Sequence, residues 1–176
     1  ICRDIANRFN HVYGDVFKMP EPYIPKAGAR VMRLNQPDTK MSKSIPEGCV
    51  FLMEKPEDIL RKFKRAITDS DTERCVRFDP QAKPGVSNLM QIYSAVTGKS
   101  FETIEAEFDG KGYGAFKPAV GEAVVELLRP IREETERLLA DKGYLESVYR
   151  AGAEKASYVA EKTLRKVYKK VGFLAR

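Results

Sequence analysis

The chain has 176 residues, 43% of them hydrophobic and 32% charged, with a formal net charge of +6. That is enough for one domain or for pieces of two, and enough to bury about 70% of the surface the unfolded chain would expose. No apolar run is long enough to cross a bilayer, no signal-peptide pattern opens the sequence, and Cys2, Cys49 and Cys75 form neither an even set nor a Cys-x-x-Cys pair. These features argue against a helical membrane protein, a disulfide framework or a zinc site, and for a reducing, cytoplasmic setting.

Taken in order, Cys2 to Phe9 reads as the end of a helix. Ile5 and Phe9 fall four apart, and Arg3, Asp4, Asn7 and Arg8 face water. His11, the single histidine, has no Ser, Cys or Asp in a triad pattern with it and reads as a surface or structural residue. Residues 14–48 then hold five of the ten prolines (Pro20, Pro22, Pro25, Pro37 and Pro46). This is extended chain and loop, with one short strand expected within Ala29–Leu34. So long an irregular segment in a compact protein is usually functional.

Within it lies Asp38-Thr39-Lys40-Met41-Ser42-Lys43-Ser44, bracketed by Pro37 and Pro46 and so not helix interior. Lysine is a compact cation on a flexible stem with three donors. Two such heads on one loop suit a triphosphate, with Ser42 and Ser44 adding hydroxyls and Met41 a soft apolar surface for a base. A solvated polar loop is the plain alternative, because short motifs often match by chance.

Cys49 to Met53 is a brief apolar run, either strand or helix lead-in. Pro56-Glu57-Asp58 reads as a helix start, with Ile59, Leu60, Phe63 and Ile67 on one face and Thr68-Asp69-Ser70-Asp71 as the stop. Residues 71–85 read as loop with a strand pairing around Val76 to Phe78. From Ser87 the chain is nearly all helix. Leu89, Ile92, Tyr93 and Val96 form a stripe closed by Gly98, and Ser100 caps a short helix with Phe101, Ile104 and Phe108 inward. Gly110 to Gly114 reads as a connector, since the GxGxxG spacing, a preceding strand and a following Lys-Ser/Thr pair are all missing. A long helix over 118–140 follows, with Val124, Leu127, Leu128, Ile131 and Leu138 apolar and Pro130 as a kink. Gly143 separates it from a last helix over about 144–171. There Leu145, Val148, Tyr149, Ala156, Val159, Thr163, Val167 and Val171 define the expected buried face.

The charge is concentrated at this end. Lys155, Lys162, Arg165, Lys166, Lys169, Lys170 and Arg176 face one acid, Glu161, so residues 155–176 carry the whole +6 and residues 1–154 balance to zero. Lys155, Lys162, Lys166 and Lys169 line one stripe, either a solvated face or a surface for a polyanion. The expected division falls near residue 53, with an irregular loop-bearing piece over 1–53 and a helical bundle over 54–176.

Lys40-Met41-Ser42-Lys43-Ser44 matches the second signature of class I aminoacyl-tRNA synthetases. With Ile24 to Met32, Thr68-Asp69-Ser70, Ala82 to Leu89, Ile92-Tyr93, Gly110 to Gly114 and Phe116-Lys117, the whole chain resembles the C-terminal half of bacterial tryptophanyl-tRNA synthetases. The tyrosyl branch shares the architecture but is less similar in these phrases. The resemblance implies a mainly α fold, in which a helical anticodon-binding bundle is preceded by the C-terminal remnant of a Rossmann-type α/β catalytic domain. It implies ATP with Mg2+ as substrate complex and no protein-bound metal or prosthetic group. The implied partners are tRNA(Trp), ATP and tryptophan, in a parent homodimer away from membranes. Tryptophan attacks the α-phosphate of ATP, and the aminoacyl group then moves to the terminal adenosine of the tRNA.

The catalytic residues implied are Lys40 and Lys43, and the ATP-binding set is Val31, Lys40, Met41, Ser42, Lys43 and Ser44, with Val31 and Met41 flanking adenine. The RNA-contacting residues are left unassigned. The His-Ile-Gly-His signature of the family is missing, and His11-Val12-Tyr13-Gly14 does not replace it. The amino-acid pocket, most of the parallel sheet and the dimer surface belong to the absent half, so the chain alone is expected to be inactive. The alternative is a free-standing helical RNA-binding module in which the lysine loop is incidental. A purely structural helical protein leaves the proline-rich loop unexplained.

Overall fold

A computed structural model describes residues 1–24, 30–71 and 75–174. Among the described residues the architecture is mostly helical, with one two-stranded antiparallel sheet. The chain divides into two compact units, Ile24–Glu136, and Ile1–Tyr23 with Arg137–Arg176. The boundary expected near residue 53 falls inside the first of these.

In the Ile24–Glu136 unit, strands β1 (Met32–Arg33) and β2 (Gln36–Lys40) pair with Met32 opposite Lys40 and Arg33 opposite Gln36. The strand expected within 29–34 is therefore only two residues long among those described, and Ala29 lies outside them. Its partner β2 was not anticipated. Pro37 lies within it, which a strand on a sheet edge tolerates because its N–H would be unpaired there. The run from Cys49 to Met53 forms neither strand nor helix. Cys49 is buried while Phe51, Leu52 and Met53 stay largely exposed.

Helix α2 (Pro56–Lys64) starts as expected, with proline in its first turn and Glu57 and Asp58 at the positive end of the dipole. It buries Ile59 and Phe63. It ends a turn before Thr68, and Ile67 is half exposed instead of inward. The Ile67 N–H leaves the helix to donate to the Leu34 carbonyl at 2.8 Å. No strand forms over 76–78. The Phe78 N–H is taken by the Glu105 carboxylate at 2.8 Å, and its ring stacks on Phe101 with centroids 4.0 Å apart.

Helix α3 (Pro84–Thr97) opens on Pro84 and closes on Gly98 in the left-handed region. Gly85 is required by proximity: a Cβ there would stand 2.1 Å from the Ile67 carbonyl oxygen. Helix α4 (Phe101–Glu107) is capped by Ser100, whose hydroxyl accepts from the Thr103 N–H at 3.3 Å. Helix α5 (Gly112–Ala140) begins six residues earlier than expected and carries Pro118 as well as Pro130. Phe116, Val120, Val124 and Leu128 are its buried side, whereas Leu127 and Ile131 are largely exposed. Burying a side chain such as Phe63, Ile59 or Leu89 contributes about 1.5–3 kcal/mol relative to leaving it in water. Tyr93, Phe108 and Phe116 meet edge to face at the centre of this core.

In the other unit, α1 (Cys2–Tyr13) runs a turn beyond Phe9 and buries Ala6, while Ile5 is mostly exposed. The Asn10 carboxamide closes the following turn. It accepts from the N–H groups of Val16 and Phe17 and donates to the Phe17 carbonyl at 2.7 Å. Exposed His11 sits in the last turn of α1. Helix α6 (Lys142–Val171) is capped by the Asp141 carboxylate, which accepts from the Tyr144 N–H at 2.9 Å. The break is thus at Asp141, and Gly143 lies within the helix. The buried face expected on α6 does not exist among the described residues. None of its residues is buried, and Val148, Tyr149 and Val159 are at least half exposed. Apolar periodicity marks a face that gains from cover; it does not supply the cover.

Candidate functional site

The lysine run forms a short arm whose base is fixed and whose end is open. Lys40 closes β2. The Met41 N–H donates to the Val31 carbonyl at 3.0 Å, so Val31 and Met41, 10 positions apart in sequence, become neighbours. Ser42 and Ile45 bridge, with the Ile45 N–H donating to the Ser42 carbonyl at 3.1 Å. Lys43 and Ser44 are left at the tip of this turn, both exposed, and Lys40 is exposed too. Neither ammonium group takes part in an ion pair among the described residues.

The other predicted residues are partly taken up by the fold. Met41 is half-buried and packs against the hydrophobic core, so only part of its surface is free. Val31 is likewise half-buried. The Ser42 hydroxyl lies within hydrogen-bond range of the Ser44 N–H at 3.4 Å, a long contact that stabilises the turn.

Several residues that hold the arm carry no signal in the sequence. The buried Cys49 thiol lies 3.1 Å from both the Ser42 and Ile45 carbonyls, under the turn. The Cys49 carbonyl in turn accepts from the Lys62 ammonium at 2.7 Å, which also pairs with Glu54. The buried Arg33 guanidinium donates twice to the Glu47 carbonyl, at 3.0 and 2.8 Å, and to Gln36 Oε1 at 3.1 Å. Gly48 adopts φ +76°, and a Cβ there would strike the Asn35 side chain, so glycine is needed on both counts. On the opposite edge of β1, Asn88 of α3 accepts from the Met32 N–H at 2.9 Å and donates to the Met32 carbonyl at 3.0 Å.

A second polar cluster pins the start of α3. The Lys83 side chain is 2% exposed, and its ammonium contacts Asp69 at 2.9 Å, Asp71 at 2.6 Å and the Tyr113 hydroxyl at 3.2 Å. Burial alone pulls the Lys83 pKa down, but the carboxylates of Asp71 and Asp69 with the Tyr113 hydroxyl outweigh it and hold the ammonium well above the usual lysine range. Burial likewise pushes Asp69 up, and hydrogen bonds from Tyr113, Lys83 and the Asp71 backbone reverse this, leaving its carboxyl below the usual value. Burial, then the Asp69 carboxylate, raise the Tyr113 phenol. Tyr113 Oη lies 2.6 Å from Asp69 and 2.9 Å from the Cys75 carbonyl. Lys117, lowered by burial, donates to the Ala66 carbonyl at 2.8 Å. With its charges neutralised internally, this cluster is suited to holding loops and helix ends together, not to binding an anion. In the other unit, Lys155, Lys162, Lys166 and Lys169 are exposed along α6. Among the described residues no group of acids, histidines and cysteines could hold a metal ion, and no helix is long and apolar enough to cross a membrane.

Comparison with known proteins finds relatives of the whole chain. A family model described as tRNA synthetases class I (W and Y) matches residues 1–129. Two curated relatives, the tryptophan–tRNA ligases of Clostridium tetani and Wolinella succinogenes, are 50% and 51% identical over 176 residues. In each case the match takes in 99% of this chain but only 51% and 53% of the relative, so the chain spans about half their length. Among solved structures, tryptophanyl-tRNA synthetase from Mycoplasma pneumoniae aligns with a TM-score of 0.85 at 28% identity, covering 98% of this chain and 53% of that one. The enzyme from Campylobacter jejuni, complexed with ADP and tryptophan, aligns with a TM-score of 0.65 at 26% identity, covering 97% and 52%.

Proposed function

Since this chain belongs to the class I tRNA synthetases of the tryptophan and tyrosine family, we propose that it is the part of a tryptophan–tRNA ligase that supplies the lysine loop and the tRNA-binding helices. The observation that carries the reading is the arm itself: two exposed ammonium groups with no ion pair among the described residues, Lys40 at the end of β2 and Lys43 at the tip of the turn, on a base held on both sides. Residues 1–53 serve as the C-terminal part of a Rossmann-type catalytic domain, and residues 54–176 as the anticodon-binding region. The intact enzyme is a cytoplasmic homodimer acting on tryptophan, ATP and tRNA(Trp).

ATP enters as its Mg2+ complex, and Val31 and Met41 flank its adenine. As the amino-acid carboxylate attacks the α-phosphorus, the bond to the bridging oxygen of pyrophosphate breaks and negative charge moves onto the leaving group. Lys40 and Lys43 meet that charge electrostatically, without taking or giving a proton. One ammonium about 4 Å from a phosphate charge, at an effective dielectric of about 20, attracts it by about 4 kcal/mol. Only the part of this attraction that grows toward the transition state accelerates the step. Ser42 holds the turn and Ser44 offers a hydroxyl to phosphate. Along α6, the exposed lysine stripe supports binding of the tRNA backbone, whose affinity should fall steeply with salt.

The test joins this chain to the N-terminal half of a tryptophan–tRNA ligase, the part of its relatives that it does not span, and measures tryptophan-dependent ATP–pyrophosphate exchange. Exchange is expected for the joined protein and absent for the chain alone. Lys43→Ala should lower the exchange rate by orders of magnitude with little change in tryptophan binding. Exchange by the isolated chain, or equal loss of rate and tryptophan affinity, overturns the reading. If joining the halves restores nothing while the chain still binds tRNA, a free-standing RNA-binding module is the better account.

A further inference from the structure

Met32 stands opposite Lys40 across the two-stranded sheet. Its own N–H and C=O do not go to another strand. Both go to one side chain, the carboxamide of Asn88, at 2.9 and 3.0 Å. An amide side chain presents one acceptor and one donor, the same pair that the edge of a neighbouring strand would present. Asn88 thus closes the outer edge of β1 as a one-residue substitute strand.

The helix that carries it is firmly held. Asn88 is 3% exposed, between Ser87 at 2% and Leu89 at 1%. The Ser87 hydroxyl accepts from the Asp79 N–H at 2.9 Å. One turn earlier, the buried Lys83 ion pairs anchor the start of α3. The position of Met32, and with it the register of Lys40, is therefore tied to α3 by a side chain 56 residues away. Next to that contact, the Met41 N–H to Val31 bond carries the same constraint into the turn that displays Lys43.

We propose that Asn88 is a positioning residue for the phosphate-binding lysines, fixing the root of the Lys40–Ser44 arm so that both ammonium groups meet the departing pyrophosphate. The proposal rests on the ligase reading above. Asn88 touches no substrate; it acts through Met32. Preorganised geometry is what makes such a placement matter, since a misplacement of about 1 Å can cost about 100-fold in rate.

The experiment has two arms. In the isolated chain, backbone hydrogen exchange is followed at Met32 and Met41, with Leu89 and Val120 as core references. Asn88→Ala should strip protection from Met32 and Met41 and leave the references protected. Asn88→Asp supplies a chemical rescue. A protonated carboxyl has one donor and one acceptor and reproduces the carboxamide pattern, whereas the carboxylate has no donor and repels the Met32 carbonyl. Burial raises that carboxyl's pKa, so its contribution is complete at low pH and is lost as pH rises through the raised value. Protection of Met32 in Asn88→Asp should follow this curve, also covering the case in which Asn88→Ala fails to fold.

In the joined enzyme, Asn88→Ala should lower kcat for pyrophosphate exchange about 10- to 100-fold with the tryptophan KM unchanged. Unaltered Met32 protection, a pH-independent Asn88→Asp, or an unchanged kcat would each overturn the proposal. Should the unsubstituted joined enzyme show no exchange, the ligase reading fails by itself, and the hydrogen-exchange arm still decides whether Asn88 holds the arm.

Discussion

Replacing Lys83 with methionine tests the cluster on which α3 is built. Methionine keeps much of the apolar stem but removes a charge that is 2% exposed and that contacts Asp69, Asp71 and Tyr113. The Asp69 carboxylate then keeps Tyr113 and a backbone N–H but loses the Lys83 ammonium, and among the described residues its Oδ2 is already buried without a hydrogen-bond partner. Removing one partner of a buried ion pair costs about 3–5 kcal/mol, because the other charge is left uncompensated. At about 2–4 °C per kcal/mol for a chain of this size, the melting temperature should drop by about 6–20 °C. Thermal unfolding followed by circular dichroism at neutral pH measures this directly. The double variant Lys83→Met, Asp69→Asn should be more stable than Lys83→Met alone, since the stranded carboxylate is gone. Asp71→Asn should cost much less, because the Asp71 side chain is 56% exposed. If Lys83→Met stays within about 0.5 kcal/mol of the parent, or the double variant recovers nothing, the cluster is not the anchor described.

Further predictions concern pH and the backbone. Asp69 titrates below the ordinary carboxylate value of 3.8 and Lys83 above the ordinary lysine value of 10.5. The stability they contribute is therefore present between those limits. It is lost as acid protonates Asp69 through its lowered pKa, or as base deprotonates Lys83 through its raised one; the stability difference between parent and Asp69→Asn across pH reads the acid limb. Gly85→Ala should destabilise by about 1–3 kcal/mol, because the new Cβ lies 2.1 Å from the Ile67 carbonyl. In an unobstructed helix the same change stabilises by about 1 kcal/mol, so the sign of the shift in a denaturant titration is the readout. Ser100→Ala removes the cap that accepts from the Thr103 N–H and should cost about 1 kcal/mol in the same assay.

Local chemistry was legible where it needs few neighbours. Pro56 with Glu57 and Asp58 announces a helix start, Ser100 a cap, Gly98 a stop, and each works through its own backbone or the turn beside it. The lysine signature was legible for a related reason: its residues are adjacent in sequence, and the turn that presents them spans only Ser42 to Ile45. Even the glycine connector at 110–114 was visible as a break, although the helix resumes within it, at Gly112.

What the tertiary structure alone decided are the pairings between distant residues. Nothing in an isolated asparagine says that Asn88 will serve as a strand for Met32. Nothing in Asp69, Lys83 and Tyr113 says that 14 and 30 residues of separation close into one contact. The apolar face of α6 shows the same limit from the other side. Its apolar periodicity is in the letters, but the buried face expected from it is not formed among the described residues, because burial needs a second surface about which a residue pattern carries no information. Sequence determines which groups must be satisfied; the folded chain determines by which partners, because hydrogen bonds and ion pairs depend on distance in space and not on distance along the backbone.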